Sequence, residues 1–261
     1  MIDFEDNSHV FFEPERLGFT DSKSNDEYYY QLFFSTYEVY YDQSGVLYTD
    51  ELEGFSKAEA VRRVRELAGE LGITHLAEPI VFGVTAESAN NYFIKEKQYY
   101  DDDNFEYTEW TKNDEAYFIT FPLLYNGIPS ETNEVSVPEH SYHGSYIKAI
   151  VTPNKVVYFS GEEITTSEYI TGKFIEINFE ASDILKKIVS DYSQRVLPDE
   201  IEFYNCELTY APIDKSDDKW ILAPAWRFDY AITSTDVGAS GRLQEFYNAE
   251  TGNRIAFEWQ N

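Results

Sequence analysis

Several residue types that build recognisable sites are scarce in this chain. One cysteine, one methionine and four histidines occur among its 261 residues. A single cysteine excludes an intramolecular disulfide and a cysteine-based zinc cluster. No apolar run approaches the roughly 20 residues that a membrane-spanning helix needs, so we expect no direct membrane insertion by this chain. The start, MIDFEDNSHV, lacks the basic and apolar regions of a signal peptide. A cytosolic protein and one whose targeting segment was trimmed both stay open.

Positive charge is scarce as well. The chain has 20 Lys and Arg against 48 Asp and Glu, and its formal net charge is −28. Nucleic-acid binding draws on Lys and Arg that displace counterions from phosphates, so we expect no nucleic-acid partner. The same charge disfavours docking on an anionic lipid surface. Aromatic residues, in contrast, are abundant, with 22 Tyr and 19 Phe. These side chains fit the pleated, half-buried surfaces of β-sheets, so the composition favours sheets.

Local patterns predict two amphipathic helices among many strands. FSKAEAVRRVRELAGELG has apolar residues at helical spacing, with Ser56 and Glu59 placed for a capping box and Gly72 as a stop. FEASDILKKIVSDYSQRV repeats this pattern, with Ile184, Leu185, Ile188 and Val189 predicted on its apolar face. TAESANNYFIKE is a further candidate helix. Residues 1–26 are acidic and polar and are expected to be a tail.

The second half of the chain echoes the first. Three elements match in the same order, anchored by Phe55 with Phe179, Pro122 with Pro224, and Thr152 with Thr251. A repeated order of elements indicates a duplicated unit. We therefore predict an α+β fold in which one amphipathic helix packs on an antiparallel sheet, twice. The predicted boundaries are 1–26 for the tail, 27–172 for the first unit with extra strands and an insertion, and 173–261 for the second.

The closing strands carry a family resemblance. ILAPAWRFDYAI followed by FYNAETGNRI resembles the C-terminal hairpin of PepSY-like domains and of the YycH and YycI regulatory proteins, and ITFPLLYNGIPS is similar to the matching strand of the YycI type. The resemblance covers roughly residues 55 to 259. It implies a helix packed on an antiparallel sheet, usually outside the bacterial membrane and acting by contact with another protein. An N-terminal transmembrane helix of the YycH and YycI pattern is absent from the sequence, which favours a trimmed surface lipoprotein.

The sequence contains no strong catalytic or metal-binding motif. His140 and His143 could present two imidazoles, but two solvated loop histidines are the simpler interpretation. The acidic loop at 101–106 departs from the EF-hand pattern, and calcium there stays open as a minor possibility. The sequence has no nucleophile elbow and no glycine-rich phosphate loop. Cys206 alternates on a predicted strand and is expected to be buried. We therefore predict a protein that is not an enzyme and has no metal and no cofactor.

The candidate binding residues are aromatic. YYYQLFFSTYEVYY is apolar on both faces when extended, and we expect burial on both sides. The alternative hypothesis is an exposed row, Tyr28, Tyr30 and Phe34, that binds a partner. Trp226 is expected in the core. These patterns favour an extracytoplasmic protein-binding or regulatory module of a Gram-positive-type cell envelope, anchored or secreted, whose partner is another envelope or membrane protein. A glycan- or peptide-binding surface protein with aromatic platforms is the alternative.

Overall fold

A computed structural model describes residues 2–3, 9–13, 16–20, 51–100, 109–132, 135–137, 140–142, 144–162, 176–193, 200–216, 219–234 and 239–255. The chain divides into two compact units. Unit 1 contains Met1–Leu123 and Ser145–Thr166, and unit 2 contains Leu124–Gly144 and Ser167–Asn261. The predicted boundary between residues 172 and 173 is close to the point where the chain passes from unit 1 to unit 2 for the second time, between Thr166 and Ser167. No sequence pattern indicated, however, that residues 124–144 belong with the C-terminal part.

The described elements are three helices and fifteen strands, most of them in antiparallel sheets, so the predicted α+β class is confirmed at this level. In chain order they are β1 (Ile2–Asp3), β2 (His9–Glu13), β3 (Arg16–Thr20), α1 (Lys57–Glu70), β4 (Ile80–Val84), α2 (Ala86–Tyr100), β5 (Ala116–Pro122), β6 (Leu124–Tyr125), β7 (Ile128–Pro129), β8 (Val135–Val137), β9 (His140–Tyr142), β10 (Tyr146–Val151), β11 (Val156–Glu162), α3 (Ala181–Ser193), β12 (Glu200–Ser216), β13 (Lys219–Ser234), β14 (Ala239–Asn248) and β15 (Arg254–Ile255).

Unit 1 is built on a seven-stranded sheet in the order β1-β2-β3-β11-β10-β5-β4, in which every pair is antiparallel. Its interior strand β10 is buried along its whole length, and β5 nearly so. Strands that are buried on both faces read as continuous apolar runs rather than as alternations. This explains why AYFITFP and YIKAIV contain so few charged residues.

The prediction of an N-terminal tail is wrong for the described residues of this segment. Strands β1, β2 and β3 extend the sheet, and β3 pairs with β11 through Phe19 and Phe159, whose rings stack with centroids 6.2 Å apart. Gly18 makes this possible, because a Cβ there would lie 2.4 Å from the carbonyl oxygen of Phe159 and 2.6 Å from the ring of Phe11. The acidic composition of residues 1–26 concealed two short strands with apolar residues.

The first predicted helix is confirmed as α1. Ser56 caps it, since its side-chain oxygen accepts a hydrogen bond from the amide of Glu59 at 3.2 Å. The Glu59 carboxylate accepts hydrogen bonds from the guanidinium groups of Arg62 and Arg63. These bonds hold the pKa of Glu59 at about 2. Ala60, Val64 and Ala68 form its buried face.

Two contacts join the beginning of α1 to the sheet of unit 1. The Tyr117 hydroxyl accepts a hydrogen bond from the amide of Leu52 at 2.7 Å and lies 3.0 Å from both the carbonyl oxygen of Phe55 and the carboxylate of Glu51. Arg63 donates to the carbonyl oxygen of Pro153, 2.9 Å away, in the turn between β10 and β11. Burial raises the pKa of Tyr117 to about 12, so the hydroxyl keeps its proton at neutral pH.

The other face of the unit 1 sheet is covered by α2, which the sequence offered as a candidate helix. Ala89 and Phe93 of α2 belong to one buried cluster with Phe118 and Ile150 of the sheet. Trp110 completes this cluster, and its backbone amide donates to the side chain of Asn90 at 2.8 Å. The sheet of unit 1 is thus covered by helices on both faces.

Unit 2 contains a four-stranded antiparallel sheet in the order β12-β13-β14-β15. Helix α3 covers one face through Ile184 and Ile188, which pack with Phe228 and Tyr247. Val189 was predicted on the apolar face of this helix, but it is 55 % exposed. The apolar stripe of α3 is therefore wider than the surface it covers.

Trp226 packs against the α3 cluster, as its predicted core role requires, but it is only half-buried. Its indole N–H donates to the carbonyl oxygen of Phe179 at 2.7 Å, just ahead of the helix. Lys187 of α3 donates to the carbonyl oxygen of Gly252 at 2.7 Å in the turn between β14 and β15. The Trp226 ring therefore has two roles, in apolar packing and in fixing the start of α3.

Strand register corrects one anchor of the sequence match. Pro122 pairs with Tyr146, at the end of β10 that is remote from the β10–β11 turn. Pro224 instead lies beside the β14–β15 turn, where its carbonyl oxygen accepts a hydrogen bond from the amide of Ala249 at 2.8 Å. The two prolines occupy different register positions, so this part of the match was a coincidence of residue type.

The connection between β5 and β10 supplies part of unit 2. Residues 124–132 of this connection are here called the arm. Strands β6 and β7 form a hairpin within the arm, and both turn residues, Asn126 and Gly127, have positive φ angles of 50° and 81°. Asn-Gly is the preferred pair for such a two-residue turn. Within unit 2, Ser130 of the arm forms a parallel bridge with Tyr210 of β12.

We predict that Tyr117→Phe lowers the free energy of unfolding of unit 1 by about 1–3 kcal/mol, because the buried amide of Leu52 loses its partner. Trp226→Phe in unit 2 is the matched comparison. Its loss should stay below about 1 kcal/mol, because the partly exposed Phe179 carbonyl can take up water instead. Urea unfolding measures both, and amide exchange at Leu52 reports the local effect. Equal losses in the two variants would contradict the assigned role of Tyr117.

Candidate functional site

The aromatic residues predicted as a binding row, Tyr28, Tyr30 and Phe34, lie outside the described residues, as does the strand that contains them. The acidic loop at 101–106 and His143 lie outside them too. His140 is in β9, where its backbone pairs with Val137.

Cys206 is in β12, as predicted, but the prediction that it is buried is wrong: it is exposed. Its neighbour in the ladder is Phe228, which packs under α3, whereas Cys206 lies in the terminal strand of the described sheet. Alternation correctly placed Cys206 on the same face of the sheet as Phe228, but in a terminal strand that face is exposed to solvent at Cys206. Partial burial, followed by the negative charges of Glu207 and Asp229, raises the pKa of the thiol.

The most concentrated group of charges in unit 2 surrounds Arg227 of β13. Trp226 and Phe228 point toward α3, so Arg227 and Asp229 occupy the opposite face of the sheet. The guanidinium contacts three carboxylates: Glu207 at 2.7 Å, Glu131 at 3.1 Å and Asp229 at 3.4 Å. Asn205 and Gln244 each donate to Asp229 at 2.8 Å. We call these groups the Arg227 cluster.

Burial differs sharply within the Arg227 cluster. The Arg227 side chain is 11 % exposed and that of Glu131 is fully buried, whereas that of Glu207 is 42 % exposed. Burial disfavours a charged guanidinium, but Glu131, Glu207 and Asp229 outweigh it and raise the pKa of Arg227. Burial also raises the pKa of Glu207; Arg227 opposes this, and Glu131 and Asp229 add to it. Three carboxylates therefore share one guanidinium.

The arm contributes Glu131 and is fixed on the sheet by uncharged contacts as well. The amide of Glu131 donates to the carbonyl oxygen of Tyr210 at 2.9 Å, and the Thr209 hydroxyl donates to the carbonyl oxygen of Pro129 at 3.0 Å. The rings of Tyr125 and Tyr210 meet edge to face, with centroids 6.3 Å apart. The arm thus lies along the edge of β12, and the Glu131 side chain extends from it to Arg227.

A second polar group lies on the α3 face of the same sheet. Glu245 is buried, accepts a hydrogen bond from the Tyr247 hydroxyl at 2.9 Å, and pairs with Arg254 at 2.9 Å. The hydroxyl groups of Tyr192 and Tyr230 are 2.8 Å apart. Burial raises the pKa of Tyr230 and of Tyr247, and hydrogen bonding adds to both shifts. These hydroxyls are therefore proton donors that satisfy a buried carboxylate.

Neither polar group has the composition of a metal centre. Within the described ranges, no set of three or more His, Cys, Asp and Glu side chains is arranged to hold a metal ion. In the Arg227 cluster the guanidinium already occupies the position between the carboxylates that a cation would take. Among the helices of the described residues, none is both long enough and apolar enough to cross a membrane.

Strand β12 exposes apolar side chains at its irregular positions. Its register with β13 shifts between Phe203 and Asn205 and again between Pro212 and Asp214. The extra residues at these two β-bulges, Tyr204 and Ile213, are 47 % and 40 % exposed. Bulges redirect side chains and are frequent at sheet edges. Ile221 of β13, which pairs with Asp214, is exposed beside Ile213.

Sequence reasoning missed both the arm and the Arg227 cluster. The Asn126–Gly127 pair between apolar residues was a usable hairpin signal. The alternation in WRFDY also indicated that Arg227 and Asp229 share a face, opposite to that of the aromatic residues. Nothing in the sequence pattern linked Glu131 to Arg227, because 96 positions separate them.

Comparisons with known proteins define the fold but no activity. No protein-family model and no curated protein matches the chain. Among solved structures, the chain is similar to an uncharacterized protein from Eubacterium rectale, with a TM-score of 0.65 and 15 % sequence identity. The match covers 97 % of this chain and 71 % of that one. The arrangement of elements therefore exists in a known bacterial structure, at a sequence identity that indicates the fold alone.

We predict that the Cys206 thiol reacts with iodoacetamide in the folded protein, because it is exposed. Glu207→Gln should increase the rate at pH 7.5: removing a nearby negative charge lowers the pKa of the thiol and raises the thiolate fraction. Iodoacetamide is uncharged, so its own attraction to the surface does not change. Glu202→Gln, an exposed change on the same strand, is the control. Reaction only after unfolding would contradict the exposed position of Cys206.

Proposed function

We propose that the chain is a protein-binding or regulatory module of a bacterial cell envelope, without enzymatic activity, built from two copies of one helix-and-sheet unit. The observation that carries the binding function is the pair of β-bulges in β12, which expose Tyr204 and Ile213 on the terminal strand of the described unit 2 sheet. Exposed apolar side chains at a strand edge suit recognition of another protein.

Internal contacts support the duplication. In each unit a helix is followed by four strands that pair antiparallel in one succession: β4, β5, β10 and β11, then β12, β13, β14 and β15. A phenylalanine precedes each helix, and an aromatic side chain of the second strand lies within hydrogen-bond distance of its carbonyl oxygen. These pairs are Tyr117 with Phe55 and Trp226 with Phe179.

One cationic side chain in each of the helices α1 and α3 gives further support for the duplication. Arg63 and Lys187 occupy matching positions in the two helices, and each donates to a backbone carbonyl in the turn between the third and fourth strands. The sequence match had aligned these turns through Thr152 and Thr251. It had not aligned Tyr117 with Trp226, which replace the prolines as the better structural pair.

The envelope location and regulatory role are supported by the resemblance of the closing strands to PepSY-like and YycI-like proteins and by the similar structure from a bacterium. The absence of catalysis is supported by the chemistry of the two polar groups. Arg227 is committed to three internal carboxylates, and Glu245 to tyrosine hydroxyls and Arg254. Each group is occupied by partners from the chain itself.

Ile213 and Ile221 form the most compact part of the proposed surface. Tyr204 lies nine positions from Ile213, a distance of about 30 Å along an extended strand. Between the two bulges the edge of β12 is occupied by the arm at Tyr210, so the surface proposed for the partner is the part around Ile213 and Ile221. We predict that a photo-crosslinking amino acid at position 213 or 221 captures one protein partner in the cells that make this chain.

Leu71 and Ile94, which are exposed apolar residues of unit 1, are the control positions for the crosslinker. The double variant Ile213→Ser and Ile221→Ser should weaken binding of the identified partner by about tenfold or more, whereas Leu71→Ser with Ile94→Ser should not. Equal capture from both sets of positions, or from neither, would contradict the assigned surface. Selective binding to a polysaccharide array that depends on Tyr204 would instead favour the glycan-binding alternative.

A further inference from the structure

A hydrogen bond joins the two ends of the connection between β5 and β10, which contains the arm. Next to the last pair of β5 with β10, the amide of Leu123 donates to the carbonyl oxygen of Ser145 at 3.1 Å. Residues 124–132 are thereby fixed at one end, and what keeps them on the unit 2 sheet is their own set of contacts with β12 and β13. One of these contacts is the ion pair between Glu131 and Arg227.

The carboxylates compete for the donors of Arg227. One terminal nitrogen donates to Glu131, at 3.1 and 3.4 Å from its two oxygens, while the other faces Glu207 at 2.7 Å. The buried Nε lies 3.4 Å from Asp229 without a hydrogen bond. Three carboxylates thus lie around the Arg227 guanidinium, and their negative charges repel one another in a poorly solvated place.

Glu207 is the member of this group that solvent reaches. Its side chain is 42 % exposed, against 0 % for Glu131 and 8 % for Asp229. Burial, Glu131 and Asp229 together raise the pKa of Glu207 above its ordinary value of 4.5, although Arg227 opposes them. The remaining titratable group beside it is the Cys206 thiol. A proton from solution therefore has an accessible site within the Arg227 cluster.

We propose that the Arg227 cluster is a pH-sensitive lock on the arm: when mild acid neutralises Glu207, Arg227 is left to Glu131 and Asp229, and the arm is held more firmly. The bistable element is the arm, docked or released. Docking buries Glu131 against Arg227 and brings a negative charge close to Glu207, so docking is favoured when Glu207 carries a proton.

The sign follows from linkage. A carboxyl whose pKa is higher in the docked form than in the released form binds a proton more tightly when the arm is docked. Docking therefore becomes more favourable as the pH falls from neutral through the titration of Glu207. This direction is opposite to that of a carboxylate whose pKa is lowered by an ion pair, such as Glu59.

Hydrogen exchange at the amide of Glu131, which donates to Tyr210, reports docking directly. In the full chain, protection of this amide at pH 5.5, corrected for the intrinsic exchange rate, should exceed that at pH 7.5. The excess approaches tenfold for each unit by which docking raises the pKa of Glu207. Amides of α1 serve as a reference, because they belong to unit 1.

Glu207→Gln mimics the protonated state. At pH 7.5 it should slow exchange at Glu131 to near the wild-type rate at pH 5.5, and it should abolish the pH response. Glu202→Gln removes a charge from the same strand at an exposed position and should leave the pH response unchanged. Thr209→Val removes the hydrogen bond to the Pro129 carbonyl, so it should speed exchange at both pH values and retain the pH response.

Glu131→Gln should speed exchange and flatten the pH response, since the charged competitor of Glu207 is gone. If Glu131→Gln does not fold, the pH responses of exchange at Glu131 in Glu207→Gln and in Thr209→Val are sufficient to test the proposal. The proposal is overturned by a pH response that persists in Glu207→Gln, or by exchange at pH 7.5 that is no slower in Glu207→Gln than in the wild type. It is equally overturned if Glu202→Gln reproduces the effect.

Discussion

A guanidinium removed from water is tolerated only when carboxylates and hydrogen bonds replace its hydration, and Arg227 imposes this requirement on unit 2. Glu207 and Asp229 come from the sheet itself, but the fully buried contact is made by Glu131, from a part of the chain inserted between two strands of unit 1. The arm, the parallel bridge at Ser130 and the burial of this sheet face all follow from satisfying that one side chain.

The two units cover their second sheet faces in different ways. In unit 1 the helix α2 packs Ala89 and Phe93 on an apolar surface, and area buried from water provides the stabilisation. In unit 2 the corresponding coverage combines a small apolar cluster, which includes Ala211 and Phe246, with the ionic contacts of Arg227. Apolar packing responds little to pH, whereas the ionic face is sensitive to it. This difference locates the lock in unit 2.

Periodicity was sufficient to predict α1 and α3, whereas α2 was only a candidate helix. Strands β12 to β15 followed from alternation and turn residues, because these signals are local. Other features depended on distant residues. The strands β2 and β3 were obscured by acidic neighbours and are stabilised by pairing with β11. The exposure of Cys206 depends on β12 being a terminal strand, which no pattern within β12 indicates. The Arg227 cluster requires a contact across 96 positions, and the aromatic row at Tyr28, Tyr30 and Phe34 stays a prediction.

The position of the arm in the chain also sets an order of events during synthesis. Glu131 leaves the ribosome 96 residues before Arg227, which at typical rates of translation is an interval of about 5–20 s. Throughout that interval the sheet of unit 2 is incomplete, so the arm stays in water with its Asn-Gly hairpin and a solvated Glu131 carboxylate. Unit 2 therefore assembles around a segment that is translated before the strands that it contacts.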